Sequence, residues 1–264
     1  VRAVPAGLDP EVVAEIDERL ASAGVAIPWA IESGSRAWGF PSPDSDYDCR
    51  FIFVRPASDY LSPWPQRDVI ETPLDATFDV NGWDLIKAVR LLLKGNAVVV
   101  EWLRSPIVYS GDPTFRDEML DVAAATVNRA LVGRHYLHVG RQKWDPASGE
   151  MSIKKIFYSL RPAAALSWMR ANPESAIPPM NLSELIEQCD PPAGVAEDTY
   201  ALIAAKSVTR EMGRGAIPPS IERFIDGEFA LAWEEYEHAR AVVPDSARQL
   251  AADYFRDAVA RYGG

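Results

Sequence analysis

Residues 33–53 read SGSRAWGFPSPDSDYDCRFIF, and within them Asp44, Asp46 and Asp48 stand at alternate positions. Carboxylates that close repel one another, so either a cation offsets them or they point into water. An EF-hand calcium loop needs Gly at its sixth position and Glu at its twelfth. Counted from Asp44, those places hold Cys49 and Arg55, which removes that reading. A plain acidic loop accounts for Asp44 and Ser45 but not for Asp48, which already leads Cys49, Phe51 and Phe53 in strand alternation. The remaining reading is a divalent-metal site at the start of a strand. Successive side chains of a strand alternate faces, so Asp46 and Asp48 project from one side. Such a pair suits two Mg²⁺ or Mn²⁺ ions about 3.5–4 Å apart, the arrangement used for in-line displacement at phosphorus. Arg50 continues that face, where it either balances the acidic pair or reaches a phosphate. Asp44 is the bystander.

Upstream, Gly34-Ser35 follows an apparent strand over Val25–Ile31. Gly lets a backbone approach a polyphosphate closely, and the Ser hydroxyl with the following N–H groups can donate to phosphate oxygens. Alone, a Gly-Ser pair carries little information. Followed after ten residues by Asp-x-Asp entering a strand, it carries much more.

Around this core, 264 residues with 48% hydrophobic content and eight Trp can bury a sizeable interior. A net charge of −11 argues against coating long duplex nucleic acid by bulk electrostatics, though not against a local basic groove. Cys49 and Cys189 fall in no metal-binding pattern and read as reduced packing residues. No apolar run reaches the roughly 18 residues that span a bilayer. Residues 1–20 read as a helix with Asp9 as N-cap and Pro10 at its first position, closed by Gly24, rather than as a signal peptide. A soluble, cytoplasmic chain without a membrane partner is expected.

Composition changes near residue 112. Strands are predicted over Val25–Ile31, Tyr47–Val54, Ala76–Val80 and Val98–Leu103, with a helix after Asp84 carrying Leu85, Ile86, Val89, Leu92 and Leu93. Beyond 112 nearly everything reads helical, with Pro- and Gly-containing joints. The expected architecture is an α/β domain over 1–112, a small mixed sheet with helices, then an all-α domain over 113–264. Charge divides similarly: between Arg134 and Arg161 lie six Lys or Arg against Asp145 and Glu150.

Gly34-Ser35-x10-Asp46-x-Asp48 between apolar strands resembles the signature of the DNA polymerase β superfamily of nucleotidyltransferases. GSRAWGFPSPDSDYDCRFIFVRP (34–56), DVNGWDLIKAVRLLLKGNAVVVEWLRSPIVY (79–109) and KKIFYSLRPAAALSWM (154–169) resemble its YcgL-like branch, the RNA-repair-associated RlaP nucleotidyltransferases. The resemblance implies a third carboxylate from a neighbouring strand, to be found among Asp75, Asp79 and Asp84. Asp79 is chosen, because Thr77, Asp79 and Asn81 alternate with Phe78 and Val80, whereas Asp84 suits a helix cap and Asp75 the strand entrance.

The implied enzyme moves a nucleoside monophosphate from an NTP, ATP among the candidates, to a hydroxyl and releases pyrophosphate. Asp46, Asp48 and Asp79 hold the metals, Asp79 helps deprotonate the acceptor, and Gly34, Ser35 and Arg36 hold terminal phosphates. Lys154, Tyr158 and Arg161 share one helix face, suiting triphosphate contact and base stacking. An RNA end, tRNA or broken RNA, is the leading acceptor through the basic stretch 134–161. A small molecule or a protein hydroxyl is the runner-up, and a catalytically inactive binding protein the non-enzymatic reading. His135 and His138 read as helix-surface residues and Glu101 as structural, although Glu101 resembles a family-typical position. Trp38 and Phe40 either contact a ligand or pack beneath the Pro41–Pro43 turn.

Overall fold

A computed structural model describes residues 8–73, 77–208, 213–240 and 242–264. The chain opens with α1 (Pro10–Ser22), whose first turn is capped as expected by the Asp9 carboxylate accepting from Glu11 N–H. It continues through β1 (Ala26–Glu32), a one-turn helix α2 (Gly34–Ala37), β2 (Tyr47–Val54), α3 (Ala57–Tyr60), β3 (Val69–Glu71) and β4 (Phe78–Asp84). Then come α4 (Leu85–Leu93), α5 (Ala97–Leu103), β5 (Val108–Gly111), α6 (Pro113–Thr126) and α7 (Arg129–Arg141). The remainder is β6 (Glu150–Ser152), α8 (Ile153–Ala171), α9 (Leu182–Cys189), α10 (Val195–Val208), β7 (Arg214–Ala216), α11 (Pro219–Tyr236) and α12 (Asp245–Tyr262).

Five strands form a mixed sheet in the order β3-β4-β2-β1-β5, in which β2 and β4 run parallel and the other neighbours antiparallel. Alternation along β2 splits its side chains between two cores. Cys49, Phe51 and Phe53 pack under α1, while Ile52 and Val54 pack under α4, α5, α6 and α12. Asp48 and Arg50 therefore share a face with Ile52 and Val54, but at the end of the strand those helices leave uncovered. On β4, Gly82 lies where a Cβ would strike the Phe51 ring at 2.1 Å, which keeps the two strands in this register.

The predicted strand over Val98–Leu103 is instead α5. Asn96 caps it by accepting from Val98 N–H, and burial around nearly the whole turn removes the periodicity that would have distinguished helix from strand. β3, β5 and the small β6–β7 pair were not foreseen, each being too short for a pattern. Packing also runs across the division drawn at residue 112. α12 returns to the sheet layer, where Tyr262 donates to Asp112 and Arg261 pairs with Glu118. A third core lies among α7, α8, α9 and α11, and Phe40 reaches into it, stacked on Phe157 at 4.3 Å. Among the described residues no helix is long and apolar enough to cross a membrane.

Candidate active site

The parallel register of β2 and β4 pairs Asp48 directly with Asp79. Between their carboxylates sits the Arg50 guanidinium, with Nη2 3.0 Å from Asp48 Oδ1 and 2.6 Å from Asp79 Oδ2, while Nη1 donates to the Asp79 carbonyl at 2.6 Å. This answers part of the question raised by the acidic run: an internal cation offsets one of its carboxylates, Asp48, together with Asp79 of the neighbouring strand. Asn81, on the same face, donates to Asp79 Oδ1. Burial raises the Asp48 pKa above the ordinary carboxylate value. Arg50 opposes that shift, Asp46 and Asp79 add to it, and Lys154 of α8 opposes it. Lys154 thus reaches the site from the helical half.

Of the two described candidates for the further carboxylate, Asp79 is the one beside Asp48. Asp84 is a buried helix cap at the far end of β4, accepting from Ile86 N–H and the Tyr60 hydroxyl. Asp75 lies outside the described residues. Asp46 stands exposed just ahead of β2, and Asp44 is exposed beside it.

Gly34 has φ +60°, and a Cβ there would lie 2.0 Å from Asp48 Oδ2. Only glycine fits, so the backbone opening α2 rests directly on the carboxylate. Ser35 donates to Ser45 Oγ at 3.0 Å, and Ser45 Oγ also meets Ser42 Oγ at 2.9 Å. Arg36 stacks on Tyr47 at 3.9 Å and donates to the Ser45 and Asp46 carbonyls. Its contacts hold the Asp46-bearing turn against α2. Tyr158 meets Trp38 edge-on at 5.4 Å. Arg161 is turned away from the carboxylates: it is buried, 2.6 Å from Glu101 Oε1, with Nε donating to the Met180 carbonyl and its guanidinium over the Trp38 ring. His138 is exposed and faces Glu237, whereas His135 lines a cavity beside Trp38. Cys49 and Cys189 are both buried thiols.

Glu32 was not singled out by sequence. Fully buried at the end of β1, it accepts from Asp48 N–H through Oε1 and from the Tyr109 hydroxyl through Oε2. The available signal was a carboxylate closing an apolar strand one residue before Ser33-Gly34. Burial pushes its pKa up to about 7. Folded Glu32 therefore keeps its proton up to about pH 7, while an unfolded glutamate releases one near 4.5. The folded state binds the extra proton between those values, so stability falls as pH rises through that window, by about 3 kcal/mol in all. Glu32→Gln is expected to flatten this slope in denaturation midpoints measured from pH 4 to 8; an unchanged slope would place the titration elsewhere.

Among the described residues no three His, Cys, Asp or Glu side chains already converge on one point. The donor set nonetheless fits a hard divalent cation: oxygen ligands at Asp48 and Asp79, a glycine cradle that a Cβ would fill, and a guanidinium standing where positive charge is needed.

The model of the RNA repair pathway DNA polymerase beta family, RlaP, matches residues 8–257. A Bacillus subtilis (strain 168) protein named YcgL and described as uncharacterized is 35% identical over 241 residues, covering 90% of this chain and 92% of that one.

Proposed function

Since the chain belongs to the RlaP family, one of DNA polymerase β-type nucleotidyltransferases named for RNA repair, we propose that it transfers a nucleoside monophosphate from an NTP to a hydroxyl at an RNA end. The observation that carries this reading is the pairing of Asp48 with Asp79 across β2 and β4, with Gly34 seated on Asp48.

In this proposal Asp46, Asp48 and Asp79 hold Mg²⁺ or Mn²⁺, which when bound neutralises charge developing around the α-phosphorus. Asp79 takes the proton leaving the acceptor hydroxyl as its oxygen bonds to phosphorus and pyrophosphate departs. Arg50 orients both strand carboxylates, and Glu32 fixes the backbone of Asp48. Ser35 and the backbone beside Gly34 hold terminal phosphates, backed by the Ser42–Ser45 hydroxyls. Lys154 supplies a positive charge from the opposite wall. Arg36 and Arg161 act from behind, through the turn and the wall they hold in place.

RNA as acceptor is supported by the family's name and by the basic residues along α7 and the start of α8. Arg161 does not add to that surface, because it is buried, whereas Arg141, Lys143 and Lys155 are exposed. The net charge of −11 favours the second reading, a small-molecule or protein hydroxyl.

Incubation with each α-labelled NTP, Mg²⁺ or Mn²⁺ and a pool of tRNA and short RNAs tests the choice, beside an Asp46→Ala/Asp48→Ala control. Label entering RNA with wild type alone is expected. Label that reaches only a small compound or protein from added cell extract would remove RNA as acceptor. RNA affinity should also fall steeply with salt, and Lys155→Glu should reduce the log–log slope by about 0.7 if that side chain meets one phosphate. An unchanged slope would take Lys155 off the RNA path.

A further inference from the structure

Beside the carboxylate site lies a cavity of about 190 Å³, lined by Trp38, His135, Val139 and Tyr158 and by the buried Glu101–Arg161 pair. We infer that this cavity receives the nucleobase of the incoming nucleotide and that addition is therefore template-independent, an inference that rests on the nucleotidyltransferase reading above.

Position is the first argument. Trp38 ends the single turn begun at Gly34, its N–H donating to the Gly34 carbonyl at 2.9 Å, so the glycine on Asp48 and the indole of the cavity belong to one rigid turn. Packed edge-on against that indole, Tyr158 follows Lys154 by one turn of α8, about 6 Å along the axis. Lys154 is close enough for its charge to act on Asp48. Both elements thus run from the phosphate end of the site to the cavity, each within one helical turn. That separation is on the scale of a ribose.

Size and chemistry are the second. Sites for drug-sized ligands begin at about 300 Å³, so this cavity suits one ring system rather than a whole nucleotide. Trp38 and Tyr158 touch edge-on at 86° with centroids 5.4 Å apart, so no ring fits between them and together they offer a flat ring one aromatic wall. Base–aromatic stacking tolerates any base and grows with ring area, so purines should bind more tightly than pyrimidines. Arg161 lies over Trp38, and its charge is offset by Glu101, with which it is paired. Burial lowers the His135 pKa, keeping that ring neutral near physiological pH.

Enclosure is the third. A base seated among these side chains is contacted by protein, with no room in a cavity of this volume for a second, templating base.

The test is calorimetric binding of Mg²⁺–ATP, Mg²⁺–CTP and Mg²⁺–tripolyphosphate to wild type, Tyr158→Ala and Val139→Trp. Val139 is 40% exposed at the rim, so a Trp there fills the opening without entering the core. Both variants are expected to weaken ATP about tenfold or more while leaving tripolyphosphate unchanged, with ATP tighter than CTP in wild type. ATP binding unaltered in both variants, or ATP no tighter than tripolyphosphate in wild type, would overturn the pocket and leave the enzyme class standing. Failure of all three ligands to bind wild type would overturn both.

Discussion

Asp48→Asn is expected to lower nucleotidyl transfer about 10³-fold or more while leaving the melting temperature unchanged or slightly raised. The two effects separate because, on the proposed mechanism, Asp48 serves charge chemistry rather than folding. Burial and the neighbouring Asp46 and Asp79 all disfavour its ionised form, and Arg50 only partly offsets them. Asn keeps the shape, the strand and the Arg50–Asp79 pair, and removes a carboxylate crowded by like charge. Transfer, by contrast, loses on the proposed mechanism an oxygen ligand to the cation on which transition-state charge depends. That contribution is several kcal/mol, and each 1.36 kcal/mol is a factor of ten in rate. Single-turnover rates with labelled NTP and a thermal melt suffice to check both halves. A variant that melts like wild type and transfers at the wild-type rate would sink the metal-site reading.

What the sequence disclosed follows from how each feature is encoded. β2 was legible from end to end because Tyr47–Val54 alternates cleanly and both of its faces are buried along its apolar half. Asp79 was legible for the same reason, its strand alternating with Phe78 and Val80. The Val98–Val100 run was not, since a β-branched segment enclosed on every side fits either period and only the Asn96 cap decides. Helical spacing placed Lys154, Tyr158 and Arg161 on one face but could not say what that face meets. The structure sends Lys154 toward Asp48 and Arg161 into Glu101, a partner from another element that no local pattern announces. Glu32 was hidden likewise: its partners, Asp48 N–H and Tyr109, come from neighbouring strands, and pairing across a sheet is not written in one strand.

The inward turn of Arg161 leads to the largest expected change in stability. Its side chain and that of Glu101 are 6% and 7% exposed, and the same Glu101 oxygen also accepts from the Tyr136 hydroxyl at 2.9 Å. Arg161→Met leaves a buried carboxylate whose remaining hydrogen bond cannot offset its desolvation. Breaking a buried pair from one side costs about 3–5 kcal/mol. For a chain of this size that corresponds to a fall of roughly 6–15 °C in melting temperature. Adding Glu101→Gln removes the orphaned charge while keeping an acceptor for Tyr136, so the double variant should recover most of the loss. Nucleotide affinity distinguishes this from direct phosphate contact. A structural Arg161 predicts that the double variant regains stability and triphosphate binding together. If Arg161→Met instead melts within about 2 °C of wild type yet loses tripolyphosphate binding, the guanidinium reaches the phosphates in solution and the buried pair is not its working state.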